Sequence, residues 1–533
     1  MGGARKSVNR GGNPRLPLPH LQLADTLVPM SASTPVFMPL NSPRTPGNWI
    51  FAEESGRAWL EKEVLPGWLV TRRWFGGKAR RIVRTQIEAA VPVGQEAQQV
   101  LAVRVEYAEG PADRYAIPLG WARLEEIDGA DASVIAIGGE NRDVAVHDAV
   151  YHPGFRAALL DPMRSDSAIR GDGGAVSGQG GSLLKELDSP DLANSRVLGV
   201  EQSNSSIIYD GQLFLKLFRR LHEGINPDAE ITRYFSEQGH FGHVPAFGGE
   251  LLLRLDGGEA MPFGLMLGCV DNRGDAWAWA LGRLRSQFAQ EDSAANEETL
   301  ARIGQLGQRT AELHCALAAP TDDEAFQPEP LSAADFRDLS TSVSARLDAL
   351  CRALEGRSEP LAGEVLAHAA ELRTRIAALA QLSGGTVKTR HHGDYHLGQV
   401  LETGADWVII DFEGEPTRSL AERRAKRSPL RDVAGMLRSL HYAAHCGRPD
   451  AEPASLAAAE KWADQASSVF LERYFATAAG AAFLPAQAPD RDALLAAYLL
   501  EKALYEVDYE LNNRPDWLPI PLRGVLRVLG AAS

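Results

Sequence analysis

His391-His392-Gly393-Asp394-Tyr395-His396-Leu397-Gly398-Gln399-Val400-Leu401 is followed closely by Trp407-Val408-Ile409-Ile410-Asp411-Phe412-Glu413-Gly414-Glu415. Phosphoryl transfer needs a carboxylate near the acceptor hydroxyl and further groups that hold a metal ion on the phosphates. The pattern H-G-D-x-x-x-x-[N/Q], a short apolar strand, then a second Asp puts all of these on one hairpin. The spacing makes Asp394 the base and Gln399, Asp411 and Glu413 the metal-holding groups. Asp394 and Asp411 are 17 residues apart, which fits a loop, a strand, a turn and a strand. His392 and His396 are four apart, as in a helical metal site. Gly393 and Gly398 argue against a helix there, and no third ligand is obvious. His392 fits a supporting role in the loop.

Working outward, Phe214-Leu215-Lys216-Leu217-Phe218 places a lysine among apolar neighbours on a strand. Such a lysine either snorkels or pairs with phosphate and a carboxylate. Downstream, Asn226 and Pro227 open a helix as cap and first residue. Glu230 lies in its first turn, and the expected partner of Lys216 is Glu230. Gln202-Ser203-Asn204-Ser205-Ser206 joins two strands where a loop over the phosphates belongs. Lacking glycine, it would use backbone amides and hydroxyls. Residues 183–267 alternate mostly as strands, and the chain from about 274 is mainly helical, interrupted by one small hairpin. That is the layout of a two-lobed α+β kinase, and no 20–50-residue repeat favours a solenoid. The Gly/Ser-rich stretch 165–182 reads as a flexible connection.

The composition narrows the class. In 533 residues, 70 Asp+Glu outnumber 55 Lys+Arg, giving a net charge of −15. This disfavours nucleic acid or an anionic membrane as partner, since both select basic faces. Four scattered cysteines suit a reducing compartment. No apolar run reaches the ~18 residues of a membrane span. These features suggest a soluble, cytoplasmic protein. The first 45 residues, rich in Gly, Pro and Ser and basic at the start, are expected to be disordered.

HGDYHLGQVL, DWVIIDFEGEP, LAERRAKRSPLRDVAGMLRSLHYAA and YELNNRPDW together resemble bacterial maltokinases, relatives of the aminoglycoside phosphotransferases. Further similarity lies in RRWFGGKAR (72–80), residues 201–235 and LGQRTAELHCALA (306–318). The resemblance implies an N-terminal cap subdomain before two kinase-like lobes. The expected division is an extension at 1–45, a cap at 46–155, a connection at 156–182, an N-lobe at 183–270 and a C-lobe at 271–533. It implies transfer of the γ-phosphoryl group of ATP, with Mg2+, to the anomeric hydroxyl of maltose. Maltose 1-phosphate would feed glycogen and other α-glucan synthesis, and trehalose synthase is the implied functional partner. Lys216 and Glu230 join Asp394 as catalytic residues. Nucleotide contacts are expected from Gln202, Ser203, Asn204, Ser205 and Lys216, with Gly268 and Val270 at the inter-lobe hinge. For the sugar, the candidates are His396, Arg431, Asp432, Tyr505, Glu506, Tyr509, Asn512, Arg514 and Trp517, since saccharides need polar groups beside an apolar wall. Two alternatives stand beside maltose: an amino-sugar or aminoglycoside acceptor, and an inactive kinase-fold regulator of a carbohydrate enzyme. Retention of Lys216, Glu230, Asp394, Gln399 and Asp411 favours an active enzyme.

Overall fold

The computed structural model describes residues 36–37 and 49–530, apart from 95–96, 128–132, 139–142, 188–193, 200–203, 240, 291–292, 383–384, 417, 449 and 451. Most of the 1–45 extension, and the candidates Gln202 and Ser203, therefore lie outside the described residues. Within that extension Val36–Phe37 pair in parallel with Ala136 and Ile137, so this piece adds a strand to a sheet.

Long, largely apolar runs make the first sheet. Ile82–Pro92, Gln98–Tyr107 and Asp113–Arg123 form an antiparallel meander, extended by Val144–Asp148 and Val134–Gly138. Both faces are covered. Leu101, Val103, Tyr115 and Ile117 pack against Leu60, Leu65 and Trp68 of the helical segment before the sheet. Ala89, Val100, Ala102 and Ala116 pack against the next sheet instead. Two-sided burial explains why these strands read as nearly continuous apolar runs.

The second sheet is built from Ala168–Arg170, Gly174–Gly180, Phe247–Leu255, Ala260–Gly268, Leu213–Phe218, Asn204–Tyr209 and Arg196–Val197, in that spatial order. Residues 156–182 are thus not a flexible connection: two short helices, Pro153–Ala158 and Leu160–Arg164, lead into two strands. The glycines serve close packing here. A Cβ on Gly178 would lie 2.4 Å from the Met163 backbone nitrogen, and one on Gly171 2.2 Å from the Ala90 carbonyl. Glycine in a strand often marks such an approach of two backbones.

Pro227–Gln238 packs on this sheet, with the Asn226 side chain accepting from Asp228 N at 2.8 Å and Ala229 N at 3.2 Å. The rest of the chain is helical around one small hairpin, Val400–Glu402 with Trp407–Ile409. Three long helices matter for the site: Leu430–Gly447, Pro453–Thr477 and Ala488–Asn513. Leu397, Val400, Trp407 and Ile409 are buried in their core together with Val433, Leu437 and Trp462. This is a bilobal kinase-like fold. Among the described residues no helix is long and apolar enough to cross a membrane.

Candidate active site

The hairpin is held from below by one buried carboxylate. Asp432, in the first turn of Leu430–Gly447, accepts from His392 N at 2.7 Å and Gly393 N at 2.9 Å, and its Oδ2 lies 3.2 Å from His314 Nε2. Burial pushes its carboxyl up, but the neighbouring His391 and His314 outweigh burial and hold it well below the usual range. His392 Nε2 lies 2.9 Å from the Ile410 carbonyl, which ties the loop to the second hairpin strand. The supporting role expected of His392 is what this geometry describes.

Lys216 is the hub of the phosphate side. Its ammonium donates to Asp228 Oδ2 at 2.8 Å and Asp411 Oδ1 at 2.6 Å, and lies 3.6 Å from Glu413. The expected Lys216–Glu230 pair is absent. Glu230 instead pairs with Arg390 Nη1 at 2.5 Å and Arg424 Nη2 at 2.6 Å. Helix phase is the reason: two residues turn a helix by about 200°. Asp228 therefore faces the lysine strand, and Glu230 faces away from it. Asp228 was not among the sequence candidates, although it stands in the same first turn. Its other oxygen accepts from Phe412 N at 3.1 Å, so it clamps the segment carrying Asp411.

Asp411 adopts φ = 69°, a left-handed conformation that costs a non-glycine residue energy and recurs at functional sites. Gln399 Nε2 donates to its Oδ2 at 2.9 Å, so Gln399 and Asp411 meet as the hairpin spacing requires. Carboxylate oxygens of Asp228, Asp411 and Glu413 all lie within 4.8 Å of one another. Burial, then the like charges of Asp411 and Asp228, outweigh Lys216 and push Glu413 up to about 7. Crowded hard oxygen donors of this kind fit a small divalent cation such as Mg2+. Asn204 donates to Glu413 at 3.4 Å and so reaches the phosphate side. Ser205 does not: it is buried, and its Oγ accepts from Arg219 Nε at 2.9 Å, because strand alternation turns it inward. Gly268 ends its strand with its N–H on the Ala246 carbonyl, and the Val270 carbonyl accepts from Asn272. Arg273 N then donates to the Glu402 carbonyl and Glu402 N to the Gly274 carbonyl, joining this segment to the hairpin.

On the opposite side of the loop Asp394 opens into a cavity. Arg431, Asp432 and Tyr505 line it as expected, and so do Arg346, Glu415, Arg418, Tyr498, Glu501 and Lys502. Lys502 lies 3.4 Å from Asp394 Oδ1 and 3.6 Å from Glu415 Oε1. Burial lowers its pKa, but Asp394 and Glu415 outweigh burial and hold it above the ordinary lysine value. Glu415 also meets Arg418 at 2.5 Å and Arg431 at 3.3 Å. Burial raises its carboxyl, yet Arg431, Lys502 and Arg418 bring it down to about 2.

The remaining acceptor candidates are not part of this cavity. His396 accepts from Gly398 N at 3.0 Å and caps the turn after the loop. Glu506 is engaged by Arg438 at 2.8 Å, on the side of the helix turned toward Leu430–Gly447. Beyond it the helix runs out to the surface. There Tyr509 is exposed, Asn512 bonds to the Asp508 carbonyl, and Arg514 pairs with Glu510 and stacks over Trp517. A second His/Glu cluster, His441, His445 and Glu460, lies away from the loop. Arg438 donates to His441 Nδ1 at 2.8 Å, which leaves the proton on Nε2. That nitrogen therefore serves Glu460 as a donor, and the cluster is a hydrogen-bonded network.

Comparison with known proteins agrees with this architecture. Residues 68–151 match the maltokinase N-terminal cap domain family. Glucosamine kinase from Streptacidiphilus jiangxiensis is 27% identical over 338 residues, covering 62% of this chain and 72% of the relative. Glucosamine kinase from Mycolicibacterium smegmatis (strain ATCC 700084 / mc(2)155) is 27% identical over 373 residues, 69% of this chain and 86% of the relative. A solved glucosamine kinase in complex with glucosamine, ADP and inorganic phosphate superposes with a TM-score of 0.61. It is 23% identical and covers 87% of this chain and 97% of its own, a likeness in fold. The chain is a phosphotransferase of the bilobal kinase-like class. It carries a match to the maltokinase cap domain family and is similar in sequence to glucosamine kinases.

Proposed function

We propose that this protein transfers the γ-phosphoryl group of ATP to a sugar hydroxyl, with the anomeric hydroxyl of maltose as the preferred acceptor. The observation that carries the reading is the two-sidedness of one loop. Asp394 faces a cavity lined by Tyr498 and Tyr505, while Lys216, Asp411 and Glu413 cluster behind it. Asp394 is the base that takes the acceptor proton, and general-base groups of this kind contribute about 10²–10⁴-fold. Lys216, held by Asp228, binds the phosphates. Asp411, Glu413 and Gln399 are the residues to hold Mg2+, which when bound neutralises charge on the phosphates. An anomeric hydroxyl is more acidic than the other hydroxyls of a sugar, so one carboxylate suffices as base.

The cap match supports maltose over other sugars. The names of the 27% identical relatives favour a second reading, glucosamine as acceptor. The bond of Lys216 to Asp411, with Asp394 lining the cavity, speaks against an inactive regulator. We place the enzyme in the cytoplasm, supplying α-glucan synthesis alongside trehalose synthase. ADP release with Mg-ATP over maltose, glucose, glucosamine, trehalose and an aminoglycoside tests the proposal. Maltose should stimulate release most. If no sugar stimulates it, the proposal is wrong.

A further inference from the structure

Every carboxylate lining the acceptor cavity already has a partner. Asp394 meets Lys502 at 3.4 Å, and Glu415 is shared by Arg418, Arg431 and Lys502. Glu501 lies 3.7 Å from Arg431, and both oxygens of Asp432 are taken by loop amides. One cation is left over. Arg346 lies over the Tyr505 ring at 5.9 Å and pairs with no carboxylate among the described residues. A sugar that places a hydroxyl on Asp394 must sit beside the Lys502 ammonium, which itself lies 5.2 Å over Tyr505. An ammonium group on that sugar would meet a like charge in a half-buried site and find no free carboxylate. A neutral sugar finds the opposite: Lys502 and Arg346 are donors that its hydroxyl oxygens can accept from.

We infer that Lys502, supported by Arg346, is the specificity-determining residue that excludes ammonium-bearing acceptors and restricts the site to uncharged saccharides. The inference rests on the sugar-kinase reading and narrows it. It runs against the glucosamine specificity named for the similar proteins.

The test compares glucose with glucosamine, which differ by one hydroxyl against one ammonium, in both turnover and calorimetric binding. Wild type should take glucose or maltose and reject glucosamine at neutral pH. Its glucosamine turnover should rise as the pH passes the amine pKa, near the α-amino value of about 8. Lys502→Met should shift the kcat/KM ratio toward glucosamine by about tenfold or more, since like-charge juxtaposition is a strong discriminator. Lys502→Arg should keep the wild-type preference. Wild type that binds or uses glucosamine as well as glucose at neutral pH overturns the inference, as does an unchanged ratio in a folded Lys502→Met. If Lys502→Met does not fold, the wild-type comparison and its pH dependence still decide. If no sugar is turned over at all, the sugar-kinase reading fails, while the binding comparison still tests the exclusion of ammonium.

Discussion

Asp228 and Glu230 are two residues apart and chemically alike, yet only Asp228 touches Lys216, at 2.8 Å. Sequence spacing offers both acids to the lysine; helix phase against the sheet selects one, and phase is fixed by packing. Asp228→Asn should therefore lower kcat/KM for ATP strongly. Glu230→Gln should mainly lower stability, because it leaves Arg390, only 2% exposed, without its full charge partner. Steady-state kinetics and urea unfolding of the two variants separate these outcomes, and reversed effects would reject the assignment. Asp394→Asn should keep nucleotide affinity and lose about 10²–10⁴-fold in kcat, as the amide cannot accept a proton. Asp394, Gln399 and Asp411 were legible in the sequence because one short hairpin carries them. Lys502 was not, since it reaches Asp394 from a helix 108 residues downstream.

At the scale of elements, the glycine-rich stretch at 165–182 shows where composition is ambiguous. Glycine abounds both in mobile linkers and where backbones touch, and only the neighbours distinguish the two. Here the strand Gly174–Gly180 pairs with Phe247–Leu255 along its whole length and lies under the helix Leu160–Arg164. Gly178→Ala would drive a methyl into the Pro162 and Met163 backbone, which cannot move as a flexible side chain would. Destabilisation of about 1–3 kcal/mol is expected, read as a lower urea midpoint at unchanged m-value. An unaffected midpoint would mean the stretch is loose after all.

Across the whole molecule, the sheet matched by the cap family and the sheet that carries Lys216 are built as one piece. The chain that carries Lys216 continues to Arg219 and Arg220 and there enters the cap. Arg220 pairs in register with Tyr115, and its guanidinium meets Asp113 at 2.5 Å. Arg219, 1% exposed, donates to Asp148 at 2.7 Å and lies over the Trp74 ring at 5.0 Å. RRWFGGKAR was legible as a signature, but its contact with the lysine strand was not, because it joins segments about 140 residues apart. Asp148→Ala leaves Arg219 buried and unpaired, so a loss of about 3–5 kcal/mol is expected. A single unfolding transition should persist, shifted downward; a separate early cap transition would show that cap and lobe are independent. The central claim, transfer of the γ-phosphoryl group of ATP to a sugar hydroxyl with Asp394 as the base, is tested most directly by phosphorus NMR after incubation with ATP, Mg2+ and maltose. The account predicts a new phosphate signal coupled to an anomeric proton, absent with Asp394→Asn. A phosphate signal that persists undiminished in Asp394→Asn, or appears with a reducing-end-blocked maltoside, would contradict it.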